Sequence, residues 1–420
     1  MDAKLLPRAL AATVRAAPAD TPVVCLLGPR QCGKTTLART LAPYYGYVTF
    51  DDAVALALAR SDPNGFLAAL PDPVILDEIQ RTPELLRALK LSVDRDRSPG
   101  RFLLTGSANL LLLPRLGDSL AGRMAIIELQ PLTAAEQERA PGDFLSTWLA
   151  GRLKPVLAAS PEPTAASALA ARVVAGGFPE PLTRTPARAR AWHRDYVRAL
   201  LERDVQDVAR VKEPRDLSRL LSLLALRTGE LLNISTLSNE LDLQRDTVEN
   251  HLAACERLYL VRRLQPWHRH AAKRLIKTPK LHFVDSGLAA TLADLAAEDW
   301  HGHRDRFGHR DRFGHLLETF VLQQLTAQAG WTDPDLRFWH YRDKDQVEVD
   351  FVITRGRRTW GVEVKATATP TQADISGLRR LAAQCGDDFA GGVLIHAGTH
   401  LVTLGDPRFL AVPLAKLWEI

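Results

Sequence analysis

An eight-residue stretch, Gly28 to Thr35, reads G-P-R-Q-C-G-K-T and constrains the fold more than any other part of the chain. Glycine, four residues and then Gly-Lys-Thr is the spacing of a loop that wraps phosphates between a strand and a helix. Both flanks suit it: Val23 to Leu27 is a short apolar run of buried-strand type, and Thr36 to Leu41 is spaced for a helix. Gly28 and Gly33 let the backbone close tightly, and successive N–H groups at the helix start then face the anionic oxygens. A nucleoside triphosphate is the expected ligand, held by Gly28, Pro29, Arg30, Gln31, Cys32, Gly33, Lys34, Thr35 and Thr36. Lys34 is expected on the β- and γ-phosphates and Thr35 on Mg²⁺. Cys32 sits inside the loop, where it is a candidate for oxidation.

A second apolar run, Pro73 to Leu76, ends in Asp77 and Glu78. Carboxylates at the C-terminal end of a strand can reach a metal beside the loop, so Asp77 is expected on Mg²⁺ and Glu78 as general base for the attacking water. The same pair would also serve as a helix cap. A third run, Arg101 to Leu104, leads into Thr105, Gly106, Ser107, Ala108 and Asn109. Thr105, Ser107 and Asn109 are all placed to sense a γ-phosphate, or simply to make a turn; Ser107 is preferred. Arg123 follows a glycine in Leu120-Ala121-Gly122-Arg123 and is the candidate arginine finger, acting in its own site or across the interface of a homo-oligomer. An exposed arginine on a basic chain would look the same.

These strings, with V-I-L-D-E-I-Q, L-L-T-G-S and L-A-G-R, resemble the ATPase domain of a widespread bacterial family of AAA-type ATP-binding proteins, in which a C-terminal domain of unknown function follows. Gly176 to Glu180 (G-G-F-P-E), Arg203-Asp204-Val205 and Phe283 to Leu288 (F-V-D-S-G-L) are similar to that family as well. The resemblance spans nearly the whole chain. It implies ATP and Mg²⁺ as ligands and leaves the biological task open.

With 420 residues, 46% hydrophobic and 25% charged, the chain has material for two or three domains. Its four cysteines, Cys25, Cys32, Cys255 and Cys385, lie far apart without metal-type spacing, against a disulfide framework or a zinc site. No uncharged apolar run reaches membrane-spanning length, and the N-terminus lacks the basic, apolar and small-residue pattern of a secretory signal, so the cytoplasm is the expected compartment and no membrane partner is expected.

Ala140-Pro141-Gly142 and Ala158 to Pro163 interrupt any regular pattern and mark a lid and linker. From Ala187 to about Thr228 the spacing of Tyr196, Leu200, Val205 and Val208 predicts helix with a buried face. Ile234 to Trp267 has the outline of a winged helix-turn-helix: a short helix over Ser235 to Leu241 with a hydroxyl cap, a turn at Asp242-Leu243, and a longer helix from Arg245 to Leu258. A strand pair would follow as the wing. From Arg262 to Lys280 there are seven Lys or Arg residues, with Trp267, His268 and His270 and no acid, a strip suited to phosphate contacts and to DNA as partner. Asp246, Glu249 and Glu256 on the longer helix would oppose a phosphate backbone, and such modules also dock proteins.

His303 to Gly308 (H-R-D-R-F-G) is repeated without change as His309 to Gly314, the pattern of an insertion in an exposed loop. Beyond it, Gly314 to Val321 begins a helix carrying Glu318, and two alternating strands follow. Glu348 and Asp350 share one face of Val347 to Ile353, and Glu363 and Lys365 share one face of Gly361 to Lys365. A hairpin would join these faces, where two carboxylates can hold a divalent ion against a phosphodiester and a lysine can offset charge. A solvated face with a Glu–Lys pair gives the same pattern. Glu318, Asp350 and Glu363-Val364-Lys365 resemble the PD-(D/E)XK nuclease superfamily, although no proline precedes Asp350. The expected fold class is α/β: a P-loop AAA-type ATPase core over 1–135, a linker and helical lid over 136–230, a winged helix-turn-helix-like region over 231–300, and an α/β restriction-endonuclease-like domain over 301–420. The expected activity is ATP hydrolysis coupled to a DNA-directed module; an ATP-controlled scaffold with a protein partner is the alternative.

Overall fold

A computed structural model describes residues 5–109, 122–157, 166–205, 213–268, 278–301 and 309–420. The first copy of the repeat, the residues from 269 to 277 in the basic strip, and Val208 lie outside them. The chain forms two compact units, Met1–Pro131 with Tyr196–Pro214 and Asn250–Leu260, and Leu132–Asp195 with Arg215–Glu249 and Val261–Ile420. Among the described residues no helix is long and apolar enough to cross a membrane.

The first unit is built on five parallel strands, β1 (Val23–Leu27), β2 (Gly46–Thr49), β3 (Val74–Asp77), β4 (Phe102–Gly106) and β5 (Met124–Glu128), in the order β2-β3-β4-β1-β5. The strands β1, β3 and β4 are buried along their whole length, as continuous apolar runs must be when both faces of a sheet are covered. Helix Leu85–Arg95 sets Leu85, Leu86, Leu89 and Val93 on one stripe, and these pack with Val23, Leu76, Leu104 and Phe50 in a single core that also takes Tyr259. Because the strands run the same way, the ends of β1, β3 and β4 come out along one edge.

The second unit contains a six-stranded mixed sheet of β8 (Arg337–Arg342), β9 (Glu348–Arg355), β10 (Arg358–Lys365), β11 (Phe389–His396), β12 (Val402–Leu404) and β13 (Asp406–Pro413), in the order β12-β13-β11-β10-β9-β8. Sequence reasoning named two of these strands, β9 and β10, which pair antiparallel. Helix Ser376–Cys385 covers the sheet through Leu378 and Leu381, and Gly361 lets them approach: a Cβ there would stand 2.6 Å from the end of the Leu378 side chain, which would have to shift. Two further strands, β6 (Val261–Leu264) and β7 (Lys280–Phe283), form an antiparallel pair.

Several expectations change. The helical stretch from Ala187 is interrupted: helix Pro186–Ala199 passes into a π-helical turn at Leu200–Asp204, and a separate helix occupies Pro214–Leu226. Helix Ile234–Leu241 is capped by the Asn233 carboxamide, which accepts from Thr236 N at 3.0 Å, rather than by a hydroxyl. The second repeat copy is not loop. It opens helix His309–Thr332, and Phe313 is buried with its ring 5.0 Å from that of Trp300. Trp267, read as part of a nucleic-acid strip, is buried against Tyr341 at 6.2 Å.

Two strings named for their family resemblance meet in this unit. Asp285 caps helix Ser286–Leu292 by accepting from Leu288 N at 2.9 Å, and it also accepts from Gly177 N at 2.6 Å and from the Gln323 amide at 3.1 Å. Burial pushes its carboxyl up to about 6, against the pull of these donors. The approach is so close that a Cβ on Gly176 would fall 2.4 Å from Asp285. Glycine is the residue that fits.

Candidate active site

The phosphate loop leaves the end of β1 with Gly28 at φ 149° and reaches helix Lys34–Leu41 through Gly33 at φ 99°. A Cβ on Gly28 would lie 2.1 Å from the Leu129 carbonyl, so the turn admits nothing larger than glycine. Between them Gln31 adopts φ 65° and is exposed, while Pro29 is buried and Arg30 half-buried. Cys32 is buried with its thiol donating to Leu129 O at 3.4 Å, which removes it from the reach of oxidants. Two outside side chains brace the loop's carbonyls and neighbours with three hydrogen bonds: Arg8 donates to Cys32 O at 2.7 Å and to Gln130 O at 2.6 Å, and Tyr196 Oη donates to Arg30 O at 3.2 Å. Lys34 is buried and its ammonium donates to Gly28 O at 3.0 Å and Pro29 O at 2.7 Å. A phosphate oxygen would offer it a charge-assisted partner in place of these neutral ones. Thr35 is half-buried, and Thr36, at the loop's far end, is exposed.

Asp77 lies where β3 ends, buried, and collects three hydroxyls. Thr35 Oγ1 donates to its two oxygens at 2.9 and 3.2 Å, Tyr47 Oη donates at 2.8 Å, and Thr105 Oγ1 donates as well. Burial and the Asp77 carboxylate push the Tyr47 phenol up to about 12. Glu78 follows at φ 60°, the left-handed region that a glutamate seldom adopts and that costs on the order of 1–3 kcal/mol. Ser107 Oγ holds its Oε2 at 2.8 Å, the Gln80 amide donates to the same oxygen, and Gln80 Nε2 reaches Ser107 Oγ at 2.9 Å. Of the three sensor candidates, Ser107 therefore stands beside Glu78 and Thr105 beside Asp77, while Asn109 N donates to Arg257 O at 2.8 Å. Sequence reasoning overlooked Tyr47 and Gln80. Gln80 lies two residues from Glu78 and was legible; nothing local marks Tyr47.

Arg123 is not part of this pocket. Residue Met124 pairs with Val23 at the start of β1, so Arg123 is set off from the loop by the length of that strand, about 13 Å at 3.3 Å per residue. Its guanidinium pairs with Asp94 at 2.6 Å. The strand direction, which the sequence does not carry, overturns its reading as a finger in its own site.

The second unit brings together all four candidates for a nuclease-like site. Glu318 comes from helix His309–Thr332, Asp350 from β9, and Glu363 and Lys365 from β10. Lys365 Nζ donates to Glu363 Oε1 at 2.8 Å, and Val364 N donates to Asp350 Oδ2 at 2.8 Å. The residue that was misread is Lys280. It is not available to the strip of phosphate contacts: its side chain is 4% exposed at the start of β7, with Nζ 3.2 Å from Glu318, 3.5 Å from Asp350 and in contact with Glu348. Burial favours loss of its proton, and Glu318, Asp350 and Glu348 outweigh burial and hold the ammonium above the ordinary lysine range. Burial, reinforced by Asp350, pushes Glu318 up to about 8 and Glu363 well above the carboxylate range. Arg263, also in the strip, pairs with Glu249 at 3.0 Å. Among the described residues no three His, Cys, Asp or Glu side chains are grouped to hold a metal ion.

Comparison with known proteins marks three regions of the chain. A model of an AAA domain matches residues 20–138, a domain of unknown function (DUF8612) matches 166–299, and another (DUF4143) matches 313–417. Uncharacterized proteins of Mycobacterium bovis and Mycobacterium tuberculosis are each 32% identical over 415 residues, covering 98% of this chain and 84% of the relative. Among solved structures, the Thermotoga maritima RuvB Holliday junction branch migration motor is 18% identical with a TM-score of 0.27, over 60% of this chain and 87% of its own. A signal transduction ATPase with numerous domains from Pyrococcus horikoshii is 12% identical with a TM-score of 0.24, over 74% and 47%. Likenesses at that level carry no weight for fold or activity. The extended match to the mycobacterial proteins does: this chain belongs to their family, with an ATP-binding AAA-type domain followed by two domains of unknown function.

Proposed function

We propose that this chain is a Mg²⁺-dependent ATPase whose turnover acts as a switch on the rest of the molecule. The observation that carries the reading is the meeting of Thr35 with Asp77, whose hydroxyl and carboxylate approach to 2.9 and 3.2 Å beside the buried Lys34. A hydroxyl and a carboxylate are the hard oxygen donors that Mg²⁺ takes, so Thr35 and Asp77 would hold the ion. When bound, Mg²⁺ neutralises charge on the transferring phosphoryl group. The chain supplies the remaining functions. Residues Gly28 to Thr36 cradle the phosphates through backbone N–H groups, and Lys34 exchanges the carbonyls of Gly28 and Pro29 for phosphate oxygens. Glu78 takes the proton of the attacking water at its carboxylate, oriented by Ser107 and Gln80. Ser107 serves as the sensor, because a γ-phosphate that engages its hydroxyl loosens its hold on Glu78. An arginine finger, where turnover uses one, comes from elsewhere than the chain's own Arg123.

Turnover is coupled either to DNA or to a protein partner. The net charge of +5 and the helix–turn–helix followed by β6 and β7 support a DNA-directed module. The state of Lys280 and Arg263, both held by carboxylates, favours the second reading, in which the module binds a protein and cuts nothing. ATP hydrolysis by wild type, Lys34→Ala and Glu78→Gln, with and without single- and double-stranded DNA run on a gel from the same tubes, tests both. Turnover that depends on Lys34 and Glu78 is expected, with intact DNA; turnover unaffected by Lys34→Ala refutes the ATPase assignment, and DNA-stimulated turnover with cleavage restores the nuclease reading.

A further inference from the structure

We propose that Lys280 is the resident cation of the carboxylate cluster in the second unit, its ammonium standing in for the divalent ion that phosphodiester cleavage there would need. An ammonium has three donors, and Lys280 meets three carboxylates, Glu318, Glu348 and Asp350, which approach from a helix and from β9. With a side chain 4% exposed, the cation has no water to fall back on, and the carboxylates in turn would be left with uncompensated charge if it were absent. Lysine and cluster require each other.

Most of the oxygens that a divalent ion would use are already engaged. Asp350 gives Oδ1 to Lys280 and Oδ2 to Val364 N, Glu318 gives Oε2 to Lys280, and Glu363 gives Oε1 to Lys365. Glu363 Oε2 is buried without a partner, and an ion that took it would complete its octahedral set in a cluster where Lys280 Nζ already draws on oxygens of Glu318, Glu348 and Asp350. A second cation at this spot would also be repelled by the buried Lys280 ammonium, in surroundings where like charges are screened less than in water. Lys280 plays no part in the Glu363-Val364-Lys365 motif; it arrives from 70 residues before Asp350. The residues that resemble a nuclease centre are thus assembled with the metal's place filled by the protein's own charge, and the module is left to bind rather than to cut.

The inference is independent of the ATPase reading, which is tested at Lys34 and Glu78. Mn²⁺ binding to the full chain is followed by electron paramagnetic resonance without nucleotide, in an Asp77→Asn background so that the phosphate loop makes no contribution. With Lys280 present no ion should bind at the cluster; Lys280→Met should gain a Mn²⁺ ion, lost again when Glu363→Gln is added. A Mn²⁺ ion bound with Lys280 in place and lost in Glu363→Gln overturns the inference, and so does a folded Lys280→Met protein that binds none. Should circular dichroism show Lys280→Met unfolded, the comparison of Lys280-containing protein with and without Glu363→Gln decides alone, a Glu363-dependent ion refuting the inference and its absence supporting it.

Discussion

Asp285→Ala should destabilise the second unit by about 3 kcal/mol at neutral pH, and by more in acid. The substitution strands three buried donors, the N–H groups of Gly177 and Leu288 and the Gln323 amide. Each donor left without an acceptor costs about 1–3 kcal/mol, or roughly 6 kcal/mol for the three at mid-range. A relief opposes this loss. Burial raises the carboxyl from 3.8 to about 6, so holding it ionised at neutral pH costs about 3 kcal/mol at 1.36 kcal/mol per pKa unit, and alanine removes that cost. The stranded donors win by about 3 kcal/mol. The pH dependence follows from the sign of the shift. A carboxyl with a folded pKa above its unfolded one contributes stability that is full below about pH 4 and is lost as pH rises through about 6. Alanine has no such titration, so the gap between the two proteins widens as pH falls. Urea unfolding followed by tryptophan fluorescence at neutral and acid pH measures it, and other titrating groups cancel in the comparison. A deficit under about 1 kcal/mol at neutral pH, or one that narrows in acid, refutes the reasoning.

Glu78→Gln should keep nucleotide affinity and lower kcat by about 10²-fold or more, the scale of a positioned general base; unchanged turnover removes Glu78 from the mechanism. Gly28→Ala puts a Cβ 2.1 Å from Leu129 O at a φ of 149°, and calorimetric titration should find ATP binding lost; full binding would mean that the loop relaxes at no cost. Phe313→Ala, in the second repeat copy, removes a buried ring packed on Trp300 and should cost about 3–5 kcal/mol in urea unfolding, where a neutral result would return the copy to the surface.

The candidate nucleotide site could be assembled from the sequence because each of its parts is local. An apolar run followed by glycines, a run ending in two acids and a run ending in small hydroxyl residues each declare a buried strand with a polar tip, and parallel strands bring such tips to one edge. The same reasoning found the shared faces of β9 and β10, since alternation sets Glu348 with Asp350 and Glu363 with Lys365 before any tertiary contact is known. Arg123 was misplaced because a residue preceding a strand lies at the loop's end or the opposite end according to strand direction, and direction is set by pairing with β1. Phe313 was misplaced because a repeated hexapeptide reads alike whether its one aromatic faces water or Trp300.

Buried charge marks the deepest division between the two levels. Local sequence determined which residues carry charge and which face of a strand or helix presents them, because dihedral periodicity acts over a few residues. Only the tertiary structure decided what partners them: the Gly177 N–H reaches Asp285 across 108 residues, and the Lys280 ammonium reaches Glu318 across 38 and Asp350 across 70. A charge removed from water must meet a partner in space, and the partner's distance along the chain has no bearing on that energy.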